Sequence, residues 1–192
     1  MRRLTTILLL VFAALGCNDN KNKSDQPAHD HAVENSTTKK KTLSPHTAAM
    51  ATIGEAHVHI DYSSPGVRNR IIFGGLLAYG EVWQAGAHMA TWVETNKDLI
   101  IDDKILKAGK YGFFTIPSQD NWTIILNSRW DQHGKDDYTI EEDVLRFTVK
   151  PEITDQVTEH LTYEITEVGP NAGRISLAWE KVKISFPFEV EQ

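Results

Sequence analysis

His57, His59 and Asp61 stand two residues apart. In a β-strand, residues at that spacing project from one face, about 6.5–7 Å apart. Two imidazoles and a carboxylate so placed can share a Zn or Cu ion when a further ligand comes from elsewhere. His46, His88 and Met89 are candidates for it. The reading without chemistry is the solvent face of a meander strand, where polar side chains belong.

A second group spans residues 62–91 and the Trp92 that follows, where Arg68, Arg70, Tyr79, Trp83, His88 and Trp92 fall close together among glycines and prolines. Cations and aromatic rings on loops at the end of a scaffold are the material of ligand sites. An arginine can clamp a carboxylate or phosphate bidentately, and Trp or Tyr can stack on a sugar. Arg68, Arg70, Tyr79, Trp83 and His88 are the candidate ligand-binding residues. The competing reading has Tyr79 and Trp83 plugging the core while the arginines tie loops to carbonyls.

Acidic pairs are less promising. A glycosidase needs two carboxylates facing each other across about 5–10 Å. Asp102-Asp103 reads as a turn, and Asp136-Asp137 and Glu141-Glu142-Asp143 are adjacent rather than opposed. No Gly-x-Ser-x-Gly elbow and no glycine-rich phosphate loop occurs. No catalytic residue can therefore be named, and a hydrolase remains only as a reading whose site the sequence does not display.

The single cysteine, Cys17, ends a short leader. Arg2 and Arg3 are followed by a stretch from Leu4 to Leu15 broken only by Thr5 and Thr6. That is shorter than the roughly 20 residues a spanning helix needs, and a basic head with a short apolar run is an export signal. Ala14-Leu15-Gly16-Cys17 resembles the lipobox of bacterial lipoproteins. The expectation is a signal peptide over 1–16, cleavage before Cys17, and a lipid on its sulfur. Cleavage removes Arg2 and Arg3 and no acidic residue, so the net charge goes from −6 to −8. Residues 18–42 are polar, with nothing to offset the entropy of ordering, and read as a disordered tether. His29-Asp30-His31 lies within it.

The elements that must position these groups show in the apolar period. From residue 43 onward it is two rather than 3.6. Ala56, Val58, Ile60 and Tyr62 alternate with His57, His59 and Asp61, and Ile175, Leu177 and Trp179 alternate with Ser176 and Ala178. Such alternation marks half-buried strands. Residues 110–116 and 122–127 are apolar on both faces and read as central strands. Pro187 cannot donate to a ladder, which places the last strand at an edge there. Residues 152–160 have room for one helical turn. About ten short strands predict an all-β domain over 43–192, an antiparallel two-sheet sandwich of jelly-roll type, with a partly closed barrel as the alternative.

Composition sets the outer limits. The chain has 192 residues, 41% apolar and 24% charged, which is ordinary for a globular protein. Twenty basic residues against 26 acidic ones leave no electrostatic footprint for nucleic acid. One cysteine excludes a disulfide framework.

Residues 43–192 also resemble the bacterial family DUF2911. The resemblance rests on Ser44-Pro45-His46, on Tyr62-Ser63-Ser64-Pro65-Gly66-Val67-Arg68-Asn69-Arg70, on Tyr79-Gly80-Glu81-Val82-Trp83 and on Ala108-Gly109-Lys110-Tyr111-Gly112-Phe113-Phe114. Glu142-Asp143-Val144-Leu145-Arg146 and Leu177-Ala178-Trp179-Glu180 continue it. It implies an exported or lipid-anchored β-rich domain and brings no reaction with it. After the tryptophan, relatives read Arg-x-Gly-Ala-Asn-Glu, whereas this chain has Gln84-Ala85-Gly86-Ala87-His88-Met89. A change at all three polar positions implies an altered ligand. The expected function is a lipid-anchored extracytoplasmic binding or accessory module for a glycan, a peptide or a small carboxylate. Its competitor is a Zn- or Cu-binding module centred on His57 and His59.

Overall fold

The computed structural model describes residues 42–192. Cys17, the 1–16 leader and the tether up to residue 41 lie outside the described residues.

Ten strands form: β1 His46–Ile53, β2 Ala56–Ser63, β3 Trp92–Thr95, β4 Leu99–Ile101, β5 Lys104–Leu106, β6 Gly109–Ile116, β7 Trp122–Asn127, β8 Asp143–Val149, β9 Glu152–Gly169 and β10 Ala172–Val190. A six-stranded sheet runs β1-β2-β3-β6-β7-β8, and a four-stranded sheet runs β5-β4-β10-β9. All pairings are antiparallel and neither sheet closes on itself, so the domain is a β-sandwich.

The period-two reading holds residue by residue. On β2, Ala56, Val58, Ile60 and Tyr62 are buried while His57, His59 and Asp61 face outward. Their partners across the sandwich include Leu161, Tyr163, Leu177, Trp179 and Phe186, in one continuous core. Strands β6 and β7 lie inside the six-stranded sheet, as expected from their two apolar faces. Their inner side chains, such as Phe113 and Ile124, join the main core. Their outer ones, Phe114 and Ile125, meet Ala90, Val82 and Tyr138 in a second small cluster under the connecting loops.

Pro187 falls between two ladders. The β9 pairing of β10 ends at Lys183, and the β4 pairing begins at Glu189. The missing N–H therefore breaks no rung. Asp102 and Asp103 form the β4–β5 turn with φ of 50° and 60°, as a two-residue type I′ hairpin requires.

One local expectation fails. Residues 152–160 form no helical turn; they are the first half of β9. The spacing of Ile153, Val157 and Leu161 is four, which suits a helix but is also even, so it keeps one face of a strand. The only helical turn among the described residues is the 3₁₀ turn Ile140–Glu142.

The connection 64–91 between β2 and β3 builds the site. It leaves β2 and crosses to the four-stranded sheet, where Val67 N–H donates to Glu159 O at 2.8 Å and Leu161 N–H to Pro65 O at 3.0 Å. It returns to the six-stranded sheet, where Trp83 and Thr115 exchange both backbone bonds at 2.8 and 2.9 Å. Both ends of this long loop are thus tied to strands.

Candidate functional site

Between those two ties lies a cleft of about 650 Å³. Arg68, Arg70, Trp83 and His88 all line it, so four of the five ligand-binding candidates converge. Tyr79 does not. It lies against Gly74 and is 41% exposed. The cleft also takes in Leu43, Leu76, Leu77, Gln84 and Trp179.

Trp83 and Trp179 stack at one end of the core, centroids 5.6 Å apart and planes 24° from parallel. Phe73 meets Trp83 edge-on at 6.2 Å. Trp83 Nε1–H donates to Gly86 O at 3.0 Å. Trp179 Nε1–H is buried with no partner among the described residues. Both rings therefore belong to the core and to the cleft wall, which joins the two readings offered by the sequence.

The arginines also do both. Arg70 donates from Nε to Val67 O at 3.0 Å and from Nη2 to Gly66 O at 2.7 Å, bracing its own loop. Arg68 Nη2 donates to Leu43 O at 2.6 Å, and its backbone N–H donates to Glu159 Oε1 at 3.0 Å. A guanidinium has five N–H donors, so each retains several. Neither guanidinium pairs with a carboxylate among the described residues. The two guanidinium groups share the cleft with the exposed Leu43 and Leu76.

The backbone around the cleft is strained. Among the described residues, seven non-glycine residues have positive φ, and Asp102 and Asp103 are accounted for by their hairpin. The other five are Arg68 (50°), Asn69 (56°), Ala85 (51°), His88 (64°) and Glu180 (55°). Four are in the connection, and Glu180 directly follows Trp179, where β10 bulges against β9. The left-handed region costs about 1–2 kcal/mol per such residue, and it persists only where neighbours enforce it. Here they do. Ala85 O accepts from Thr91 Oγ1 at 3.0 Å and from Tyr163 Oη at 2.8 Å. Burial drives the Tyr163 hydroxyl well above the usual phenol range, so it stays a donor. His88 O accepts from Gly134 N–H at 2.8 Å. Strain of this kind gathers at binding sites.

The other sequence candidates lie outside the cleft. His46 Nε2 lies 2.8 Å from Asp61 Oδ1, which occupies that carboxylate. His57 Nδ1 is 2.9 Å from Thr52 Oγ1. The His59 ring lies edge-on to Trp92, centroids 4.9 Å apart. Met89 bridges to His133, away from the cleft. Among the described residues no three His, Cys, Asp or Glu side chains form a metal-holding group.

The acidic runs are structural. Asp143 Oδ2 accepts from Arg146 Nη1 at 2.8 Å and from Tyr138 Oη at 3.0 Å, and its Oδ1 accepts from Asn127 Nδ2 at 2.9 Å. Burial, then the bond to Asp143, pushes the Tyr138 hydroxyl up to about 12. Glu142 is forked by Arg129 Nε and Nη2, each at 2.8 Å. These contacts lock the 128–142 loop that in turn supports His88.

Residues 44–188 match the family described as a protein of unknown function, DUF2911. The chain belongs to DUF2911. No curated protein and no solved structure matches it. The DUF2911 motifs now have places. Tyr62 to Arg70 turn into the cleft wall, Trp83 and Trp179 form its base, and Tyr138, Asp143 and Arg146 make the locking network.

Sequence reasoning missed three participants. Trp179 and Tyr163 read only as core positions, since alternation reports burial and not what a buried polar tip touches. Leu43 read only as the first residue of the domain. Its carbonyl binds Arg68, which brings the start of the domain onto the cleft.

Proposed function

We propose that this DUF2911 protein is a lipid-anchored binding module of the cell envelope, facing the periplasm or the cell exterior. Cys17 carries the lipid, the polar tether spaces the domain from the membrane, and the cleft takes a small carboxylate with an apolar body. The observation that carries this reading is the pair of guanidinium groups of Arg68 and Arg70, neither in a salt bridge among the described residues and both set beside leucine and tryptophan walls in a strained frame. Mostly apolar clefts with a few fixed polar groups are the usual form of small-molecule sites. Gln84 and His88, two of the three departures from the family pattern, both lie on this wall. They support a ligand that differs from that of other members.

The test is a titration of the protein with a series of mono- and dicarboxylates of increasing chain length, read by tryptophan fluorescence. A saturable change is expected, weakened by Arg68→Met on the order of tenfold or more, as for loss of a hydrogen bond to a charged group. Arg70→Lys keeps the charge and loses the fork, so it separates bidentate from purely coulombic holding. Absence of binding across the series, or binding indifferent to Arg68→Met, overturns the reading.

A further inference from the structure

The outer face of the six-stranded sheet holds a second hollow of about 260 Å³, distinct from the cleft, with Met50, His57, His59 and Glu94 in its walls. The register lines these groups up. Met50 of β1 lies directly opposite His59 of β2, and His59 lies directly opposite Glu94 of β3. Directly opposed residues have Cβ atoms about 4.5–5.5 Å apart. His57 is two residues along β2 on the same face, about 6.5–7 Å away. A thioether and two imidazoles thus overlook one hollow.

Each has a feature that packing leaves unexplained. His59 Nε2 is buried without a hydrogen-bond partner among the described residues. Met50 is 66% exposed between two alanines. His57 Nδ1 is 2.9 Å from Thr52 Oγ1. With Nδ1–H donated to that hydroxyl, the Nε2 lone pair is free, the second contact that orients a metal-binding histidine. Asp61, the carboxylate that spacing alone adds to this pair, is held by His46 instead. Lys110, opposite Glu94, is drawn over Trp92 and Trp130, its Nζ 3.3 and 3.7 Å from the two ring centroids. Glu94, directly opposite His59, adds a carboxylate to the wall of the hollow.

We infer that Met50, His57 and His59 bind a single Cu(I) ion. Two imidazoles alone would suit Zn(II) or Cu(II) as well, but the thioether selects the soft monovalent ion. The step is coordination only: Cu(I) enters as supplied, with both imidazoles neutral, and no electron is exchanged. This inference is independent of the carboxylate cleft.

The test uses the full chain with Cys17→Ser, His29→Asn and His31→Asn, which removes the competing ligands of the leader boundary and the tether. Cu(I) is titrated anaerobically in competition with a chromophoric Cu(I) chelator, and X-ray absorption reads the ligand types. One tightly held ion per chain with one sulfur and two nitrogen ligands is expected. Because even outer-shell changes alter metal affinity roughly 10–100-fold, His59→Ala is expected to weaken Cu(I) about a hundredfold or more. Met50→Leu, an exposed substitution with no fold to disturb, is expected to weaken Cu(I) at least about tenfold and leave Zn(II) affinity unchanged. Cu(I) affinity unaltered by Met50→Leu, or absorption spectra without sulfur, overturns the inference, whether or not His59→Ala remains folded.

Discussion

Replacing Trp83 and Trp179 separately by Phe tests how the base of the cleft is held together. The two indoles are almost equally buried, 4% and 1% exposed, and stack on each other. Each substitution removes the same atoms from the same cluster, so the packing losses nearly cancel in the comparison. Hydrogen bonding does not cancel. Trp83 Nε1–H is bonded to Gly86 O. Trp83→Phe loses a bond worth about 1 kcal/mol and strands a carbonyl, at a further penalty of about 1–3 kcal/mol if no water reaches it. Trp179 Nε1–H has no partner among the described residues, so Trp179→Phe removes a buried orphan donor and recovers part of its packing loss. Trp83→Phe is therefore expected to destabilise more, by about 1–3 kcal/mol. Urea unfolding of both variants, compared at equal m-value, measures it. Equal losses, or a larger loss at Trp179, would refute the assignment of bonded and orphan indoles.

Mass spectrometry of membrane-extracted protein is expected to show a mature chain beginning at an acylated Cys17, and Cys17→Ser to release the protein from the membrane fraction while it stays folded. An intact N-terminus on the extracted protein counts against the anchor. A chain beginning at Leu43 is expected to unfold cooperatively, with far-ultraviolet circular dichroism dominated by strand; helix above about a quarter of residues would contradict the fold. Acid should weaken the β4–β6 corner. Asp98 is held below its ordinary value of 3.8, first by Lys107 and then by the Ala108 N–H. A depressed folded value means this stabilisation is complete above the unfolded value and is lost as pH falls through the folded one. Asp98→Asn should therefore flatten the loss of stability between about pH 5 and pH 2, and an unchanged acid limb would count against the pairing.

The fold was readable because alternation reports burial directly. His57 and Val58 fall on opposite faces as the pattern of β2 requires, and Asp102-Asp103 turns where two short strands need it. Residues 152–160 misled because a spacing of four fits both a helix stripe and one strand face. At the candidate site, residue types pointed to Arg68, Arg70, Trp83 and His88, and the structure gathers these four on one cleft. Tyr79 matched in type but not in place, because its loop turns at Gly74 and Gly80 and carries it off the wall. Trp179 lay nearly a hundred residues away in sequence and reaches the cleft through a bulge at Glu180 that no local pattern announces. Met50 was hidden for a similar reason. Its partnership with His59 exists only in the β1–β2 register.

Binding of a carboxylate between the Arg68–Arg70 turn and the two stacked indoles can be read from the indole N–H resonances in a ¹H–¹⁵N spectrum. The chain has five tryptophans. Trp83 and Trp179 line the cleft, while Trp92 and Trp130 lie beside Lys110 on the outer face of the six-stranded sheet. Titration with a carboxylate from the series should move the Trp83 and Trp179 signals together and saturably, leave those of Trp92 and Trp130 in place, and have no effect in Arg68→Met. Shifts confined to Trp92 and Trp130, or equal shifts in the Arg68→Met protein, would contradict the account.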